Sequence, residues 1–359
     1  MTTPVHLEPL SADDTRTLDE KLADLESILR PLGRVLVGYS GGVDSAMLVV
    51  AAHRVLGDDV TAVTADSESY ATGELELAGQ ILEPFGIRHV VVKTHELDNP
   101  DYASNPINRC YFCKQELFSQ MQKVAAGQGA QTILYGNNAD DTGDFRPGSQ
   151  AARESGARAP LQEAGLTKQD VRDLARRWDL PVWNRPAMAC LSSRFPYGTP
   201  VTAEGLRMVD RAEKYVRGLG YEQLRVRHHD EVARIELPAE EISDLLADGV
   251  RCADLSRELR EIGYTSVSVD LRGFRSGSLN EVLQEGTVEE SEVEERAVSE
   301  AASLDISPAA AHRHDQVLRL QVSADAVTRL ADASRRAALV QKLEALGARY
   351  VSLDLQPLD

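Results

Sequence analysis

The chain has no apolar run of the roughly 18–20 residues that a membrane-spanning helix requires. Residues 1–13 lack the basic flank and apolar core of a secretory signal peptide. Basic residues are also in the minority, since 39 Lys and Arg stand against 57 Asp and Glu, for a formal net charge of −18. A large nucleic-acid footprint usually needs a basic face. We therefore expect a cytoplasmic protein with no membrane or nucleic-acid partner.

Cysteine is scarce, with four in 359 residues, and disulfides are rare in the cytosol. Cys110 and Cys113 form a C-x-x-C pair that opens a predicted helix, and Cys190 lies in a later loop. A dithiol redox centre favours a helix N-terminus, whereas a zinc site needs a second ligand pair that the sequence lacks. The pair can also be structural, or can join Cys190 to hold a [4Fe–4S] cluster with one iron open. The spacing alone leaves these interpretations open.

The lysine of a GxxxxGK[ST] Walker loop is absent, but a different glycine-rich loop is present. Its sequence is S-G-G-V-D-S, and it joins a predicted strand to a predicted helix. The glycine pair lets backbone amides close around an anion, and the helix N-terminus adds its positive dipole end. The segment predicts a phosphate cradle made of Ser40, Gly41, Gly42, Val43, Asp44 and Ser45.

Short apolar strands alternate with amphipathic helices over the first half of the chain. Strands are predicted at 34–39, 60–65, 89–93 and 132–135. This alternation predicts an α/β fold with a doubly wound, Rossmann-like parallel sheet. Ligands of such sheets bind beyond the strand C-termini, where the strand order switches direction. We therefore expect residues 40–45, 65–68 and 136–141 to form the site, with Ser67 where related folds place the adenine.

A smaller α+β unit begins where the composition changes near Pro200, and it includes a predicted helix that starts at Ala239 and continues to Ile262. We predict domains over residues 12–200 and 201–280, an acidic linker over 281–310, and a partial duplicate of the second domain over 311–359. The duplication rests on segments that recur about 85 residues apart: H-D-E-V-A-R-I at 229–235 is echoed at 314–320, and S-V-D-L at 268–271 is echoed at 352–355. Ala310 and His312 replace Arg225 and Arg227 in the copy. We expect the copy to pair with the original or to serve as an oligomer surface.

Several motifs resemble the LarE family in order and spacing. They are S-G-G-V-D-S at 40–45, C-Y-F-C-K at 110–114, G-N-N-A-D-D at 136–141, D-F-R-P-G at 144–148 and C-L-S-S-R-F-P-Y-G at 190–198. The segments R-V-R at 225–227, R-I-E-L-P at 234–238 and G-F-R-S-G at 273–277 extend the resemblance into the second domain. It covers about residues 25–280 and leaves the duplicate outside. The first motif also resembles the pyrophosphate loop of the PP-loop ATP pyrophosphatases.

The resemblance implies an ATP-dependent sulfur transferase of nickel-pincer nucleotide cofactor biosynthesis. Its small nucleotide substrate would be pyridinium-3,5-biscarboxylic acid mononucleotide, whose carboxylates are adenylated and then converted to thiocarboxylates. One branch of the family sacrifices the sulfur of a single cysteine. The other branch delivers sulfide from a [4Fe–4S] cluster on three cysteines, and the set Cys110, Cys113 and Cys190 resembles that branch. Ala189, rather than Cys190, aligns with the sacrificed cysteine.

ATP binding is expected at the loop of residues 40–45, which would hold the departing pyrophosphate with fixed amide dipoles. Lys114 directly follows the C-x-x-C pair and is a further candidate contact to ATP. Mg²⁺ would bridge the phosphates, with Asp44 or Glu236 as a ligand, directly or through water.

Substrate binding is expected to use arginines. Arg225 and Arg227 alternate along a predicted strand and so share one face, where two guanidinium groups suit a phosphate. Arg194 is a third candidate, and Asp141 is a candidate for the substrate or for ordering its own loop.

Three other functions fit parts of the sequence. A tRNA-thiolating PP-loop enzyme shares the loop and often paired cysteines, but the acidic balance and the lack of an RNA-binding extension argue against it. An amide-forming synthetase that uses ammonia leaves the cysteines without a role. A non-catalytic nucleotide-binding scaffold would use the duplicate for docking, although an intact S-G-G-V-D-S loop favours catalysis. In each case we expect a homo-oligomer.

Overall fold

The computed structural model describes residues 14–141, 147–186, 189–275 and 293–358. The chain divides into two compact units, residues 1–190 and 191–359, each taken by itself below. Among the described residues, every helix is too short or too polar to cross a membrane. Residues 144–146 of the D-F-R-P-G motif and residues 281–292 of the predicted linker lie outside the described ranges.

The first unit is built on a parallel sheet. Its strands are β1 (Val35–Gly38), β2 (Val60–Asp66), β3 (Arg88–Lys93) and β4 (Thr132–Tyr135). Its helices are α1 (Leu18–Leu29), α2 (Val43–Leu56), α3 (Glu74–Leu82), α4 (Pro100–Ala103), α5 (Arg109–Gln128), α6 (Pro147–Glu154), α7 (Pro160–Glu163) and α8 (Lys168–Arg177). The sheet has the order β3-β2-β1-β4, and all of its pairings are parallel. The predicted doubly wound α/β fold is confirmed.

Strand β1 shows why this sheet is covered on both faces. Val35 and Val37 pack into one apolar cluster and Leu36 into another, and all three are fully buried. A continuous apolar run of this kind is typical of a parallel strand between two helical layers. Since β1 pairs with β2 on one side and β4 on the other, the strand order switches at β1. The loops after β1 and β4 therefore meet where ligands bind in such sheets.

The second unit contains a mixed sheet. Its strands are β5 (Arg225–His229), β6 (Val232–Glu236), β7 (Ser266–Asp270), β8 (Ala309–His314), β9 (Val317–Val322) and β10 (Tyr350–Asp354). Its helices are α9 (Ala203–Gly218), α10 (Ala239–Ala247), α11 (Gly249–Ile262), α12 (Val293–Ala302), α13 (Ala324–Arg329) and α14 (Ala333–Glu344). The six-stranded order is β5-β6-β7-β10-β9-β8.

This sheet consists of a first half-sheet, β5–β7, and a second half-sheet, β8–β10. In each half-sheet an antiparallel hairpin is followed by a parallel pairing, β6 with β7 and β9 with β10. Asp230 and Asp315, at equivalent places in the two hairpin turns, both have positive φ, 50° and 52°. The two half-sheets join through the antiparallel pair of β7 and β10. The repeat thus pairs with the original inside one chain.

Two details differ from the sequence-based expectations. Part of the predicted linker over 281–310 is the helix α12, because Val293, Ala297 and Ala301 recur at helical spacing and are buried. The single helix predicted over 239–262 is two helices. The chain turns at Asp248, whose side chain accepts a hydrogen bond from the Arg251 amide and caps α11.

Candidate active site

The loop after β1 closes on itself through its two serines. The Ser45 hydroxyl donates to the Gly42 carbonyl (3.0 Å) and accepts from the Ser40 amide (3.2 Å). The two hydroxyls lie 3.1 Å apart. Gly41 has a φ of +73°, which favours glycine, and Gly42 is the N-cap of α2 without a side-chain cap bond. The first amides of α2 are therefore available to an anion at the helix N-terminus.

Asp44 is held by two partners from elsewhere in the unit. Its Oδ1 accepts from Asn138 Nδ2 at 3.0 Å, and its Oδ2 is paired with the Lys168 ammonium. Lys168 is the first residue of α8, and its backbone amide donates to Asp140 (2.8 Å). Lys168 thus brings a positive charge to the phosphate loop, although it lies 124 residues from Asp44. Sequence reasoning missed it, because only its place in a T-K-x-D helix start marks it.

The loop after β4 packs directly on the phosphate loop. A Cβ on Gly136 would lie 2.9 Å from the Ser45 amide nitrogen and 3.1 Å from the Asp44 carbonyl carbon. Only glycine fits that contact without displacing the first turn of α2. Asp141 accepts from the Asn138 amide (3.0 Å). That bond orders the loop, which is the second of the two roles that the sequence left open for Asp141.

The loop after β2 supplies a further support. Tyr70 donates its hydroxyl proton to the Ser40 carbonyl at 2.6 Å, and burial raises its pKa to about 12. Ser67, the candidate adenine contact, is half-buried, and its hydroxyl lies 2.9 Å from that of Ser69. Tyr70 was not among the predicted site residues, since a lone tyrosine in a loop carries no distinctive pattern.

The cysteines of the first unit are electrostatic neighbours. Burial raises the pKa of the Cys110 thiol, and the nearby Cys190 raises it further. Burial also raises the pKa of Cys113, with Glu96 as the next cause, and the Cys113 thiol donates to Glu96 Oε1 at 3.6 Å. Glu96 is 3% exposed, and its other oxygen has no hydrogen-bond partner among the described residues. Both thiols are thus held in their neutral form as the structure stands.

The three thiols supply suitable donors for an iron–sulfur cluster. Within the described residues, however, no three His, Cys, Asp or Glu side chains are arranged as metal ligands. Lys114, which directly follows Cys113, is half-buried. A Cβ on Gly148 of α6 would lie 3.0 Å from the Cγ of Lys114. This close approach fixes the stem of Lys114 against α6.

In the second unit, two of the predicted arginines are buried against carboxylates. Arg194 is 1% exposed and donates to both oxygens of Glu213 at 2.8 and 2.9 Å. Arg227 donates to Glu236 Oε2 at 2.8 and 3.0 Å. Glu236 is fully buried, and its Oε1 contacts Arg234 at 3.1 Å. Because both of its oxygens are paired with guanidinium groups, Glu236 does not fit the predicted Mg²⁺ ligand.

Arg225 differs from these two arginines. It is half-buried at the start of β5, and its guanidinium lies 5.3 Å from the centre of the Phe274 ring. Burial, followed by the neighbouring charge of Arg194, lowers the pKa of Arg225 to about 10, although Glu213 and Glu236 act in the opposite direction. A guanidinium crowded by other cations gains from a nearby anion. Of the three predicted arginines, Arg225 is the one whose surroundings most favour binding a phosphate.

The structure therefore brings together, within the first unit, the phosphate loop, Asn138, Asp140 and Lys168, and it places the three cysteines near one another. Arg194, Arg225, Arg227 and Glu236 belong to the second unit. The charges of Arg194 and Arg227 both lower the pKa of Arg225, so these three arginines lie near one another.

Known proteins resemble the chain over most of its length. Residues 34–104 match the family described as Queuosine biosynthesis protein QueC. The pyridinium-3,5-bisthiocarboxylic acid mononucleotide synthase of Lactiplantibacillus plantarum is 41% identical over 268 residues, which are 74% of this chain and 96% of that protein. The protein slr1717 of Synechocystis is 46% identical over 266 residues, 74% of this chain and 99% of that protein. The glutamine-hydrolyzing GMP synthase of Zymomonas mobilis is 28% identical over 42% of this chain and 32% of that protein. With near-complete coverage of the L. plantarum synthase at 41% identity, the chain belongs to the LarE family.

Proposed function

We propose that the chain is an ATP-dependent sulfur transferase acting on pyridinium-3,5-biscarboxylic acid mononucleotide, whose carboxylates it converts to thiocarboxylates for a nickel-pincer cofactor. The phosphate loop carries this proposal, because Ser40, Ser45 and Gly136 shape a helix N-terminus around which Asp44 and Lys168 supply opposite charges. The synthase relative is named for the corresponding bisthiocarboxylic product.

In the first step, a substrate carboxylate oxygen attacks the α-phosphorus of ATP, and the bond from that phosphorus to the bridging oxygen breaks. Pyrophosphate leaves into the loop, where the amides at the start of α2 stabilise its charge. Lys168 can move from Asp44 to the phosphates, which frees the Asp44 carboxylate for Mg²⁺. The resting ion pair thus keeps both charged groups beside the site with no net charge.

In the second step, a sulfur nucleophile attacks the acyl carbon and AMP leaves. We propose that Cys110, Cys113 and Cys190 deliver this sulfur and that they hold a [4Fe–4S] cluster. When bound, such a cluster supplies an open iron that can carry sulfide.

The substrate's phosphate is assigned to Arg225, with Arg227 and Arg194 as neighbouring positive charges. The buried pairs of Arg194 with Glu213 and of Arg227 with Glu236 hold the strand and the adjoining 3₁₀ turn (Leu191–Arg194) in place. Arg194 and Arg227 therefore act mainly as positioning residues for Arg225.

The test separates the two steps. Purified protein with its reconstituted cluster is given ATP, Mg²⁺, sulfide and the biscarboxylate nucleotide under anaerobic conditions, while AMP and thiocarboxylate are measured by chromatography and mass spectrometry. Asp44→Asn is expected to lose both products, whereas Cys113→Ala is expected to release AMP without thiocarboxylate. The matched control is Cys252→Ala, which removes a buried thiol that donates a hydrogen bond to the Leu245 carbonyl. This variant is expected to form both AMP and thiocarboxylate. Failure of the wild type to release AMP in response to the nucleotide contradicts the function.

The cluster has its own measurement. Iron and acid-labile sulfide are determined in anaerobically purified wild type, Cys113→Ala and Cys252→Ala. We expect iron in the wild type and in Cys252→Ala, with loss in Cys113→Ala. Equal iron in all three proteins, or none after reconstitution, contradicts the cluster and leaves direct sulfur transfer from a cysteine.

A further inference from the structure

The junction of the two half-sheets has the register of a symmetric dimer. In the repeat, Val269 corresponds to Leu353, and these two residues face each other across the β7–β10 pair. Their neighbours pair reciprocally, Asp270 with Ser352 and Ser268 with Asp354. Two identical antiparallel strands related by a two-fold axis pair in this way: the residue on the axis faces its own equivalent, and the residues on either side of it pair reciprocally. The axis would pass through the pair of Val269 and Leu353.

The similarity of the halves extends beyond the central strands. Arg234 of β6 is paired with Asp270 of β7, and the equivalent Arg319 of β9 is paired with Asp354 of β10. The order of strands and the direction of each pairing are the same from either end of the sheet. The six-stranded sheet is therefore a two-fold arrangement of similar halves rather than one strand added to another.

The two half-sheets also share one apolar core. Val267 and Val269 of the first and Val351 and Leu353 of the second are buried in the same cluster. Without the second half-sheet, β7 would present a row of unpaired backbone groups beside an open core. Such an edge readily recruits another strand. Any strand that closes it must also complete the core.

The synthase of L. plantarum and slr1717 align over nearly their full lengths with only 74% of this chain. About a quarter of the chain therefore lies outside each alignment. The family motifs end at residue 277, before the second half-sheet begins at Ala309. The second half-sheet, which covers β7, thus lies beyond the last family motif.

We propose that the edge of β7 is a self-complementary docking surface for a second copy of the first half-sheet, and that in this chain the C-terminal repeat occupies it in place of that copy. The chain carries its own partner for this edge. A homo-oligomer of the intact chain would then use another surface. This proposal does not depend on the proposed function.

The test frees the edge in the full-length chain. Ser352→Pro removes a ladder hydrogen bond from β10, which lies between β7 and β9 and does not tolerate proline. Ser352→Ala is the matched control, because the Ser352 hydroxyl is buried and has no hydrogen-bond partner among the described residues. Leu353→Lys displaces the same strand by placing a charge in the core.

Mass is measured by sedimentation, and protection of the β7 amides is measured by hydrogen exchange, each over a range of protein concentrations. We expect Ser352→Pro and Leu353→Lys to double in mass relative to the wild type, with β7 protected at high concentration and exposed on dilution. Ser352→Ala keeps the wild-type mass and a protection that does not depend on concentration. Adding Ser268→Pro in β7 to Ser352→Pro abolishes the doubling.

Two results would overturn the proposal. One is loss of β7 protection at every concentration in both displaced variants, since the freed edge would then not recognise itself. The other is undiminished association after Ser268→Pro is added, since the contact would then lie elsewhere.

Discussion

The two half-sheets of the second unit have the same plan, but they keep different residues. Both keep the aspartate with positive φ in the hairpin turn and the arginine–aspartate pair next to the junction. At the outer positions, Arg225, Arg227 and Glu236 of the first half-sheet correspond to Ala310, His312 and Gln321 of the second. Residues that build the sheet are thus common to both halves, whereas the proposed phosphate-binding group occurs in one. The second half-sheet is an internal control for the first.

Removal of the shared arginine gives the largest expected effect on stability. Arg234 is fully buried between Glu236 and Asp270, whereas Arg319 is 17% exposed and has the single carboxylate of Asp354. Arg234→Met removes the guanidinium that two buried carboxylates share, leaving Glu236 with Arg227 and Asp270 with Arg275, and should cost about 3–5 kcal/mol of unfolding free energy. Arg319→Met should cost about half as much. Urea unfolding followed by circular dichroism measures both, and equal losses would contradict the difference between the halves.

Removal of Arg225 should affect activity more than stability. Loss of a charged hydrogen bond to phosphate costs about 1.5–3 kcal/mol, or roughly 10- to 100-fold in kcat/KM. Arg225→Gln is therefore expected to lower kcat/KM for the nucleotide by that factor, with the ATP affinity unchanged. His312→Gln changes the exposed residue at a matching outer position and should leave kcat/KM as it is. A similar fall in both variants would show that the loss is structural.

The buried histidine of the first half-sheet should make stability depend on pH. His229 is 2% exposed beside Arg234 and Tyr350, and burial holds its pKa well below the usual value, whereas His314 is half-buried. The native state keeps His229 neutral while the unfolded state protonates it. Stability should therefore fall by about 1.4 kcal/mol for each pH unit below about 6.5. His229→Gln should flatten this dependence, as followed by thermal unfolding at pH 5.5 and 7.5, with His314→Gln as the control at the equivalent position.

Much of the first unit could be predicted because its signals are local. Alternating apolar runs gave the parallel sheet, and the S-G-G-V-D-S segment gave the phosphate loop at the end of β1. Lys168, Tyr70 and Glu96 could not be predicted, because each acts through a contact between segments distant in sequence. The pairing of Glu236 with two arginines was missed for the same reason. The repeat was visible as spaced motifs, but its two-fold register depends on strand pairing in three dimensions.

The close approach of Gly136 to Ser45 has a consequence for synthesis of the chain. The phosphate loop is made about 90 residues before Gly136, and about 120 residues before Lys168. Its final shape depends on both, through the contact at the first turn of α2 and the pairing with Asp44. A ribosome-bound chain that ends before Lys168 therefore carries the loop's sequence without its complete site. Because domains generally fold as units during synthesis, the chain should acquire its nucleotide site only after α8 has left the ribosome.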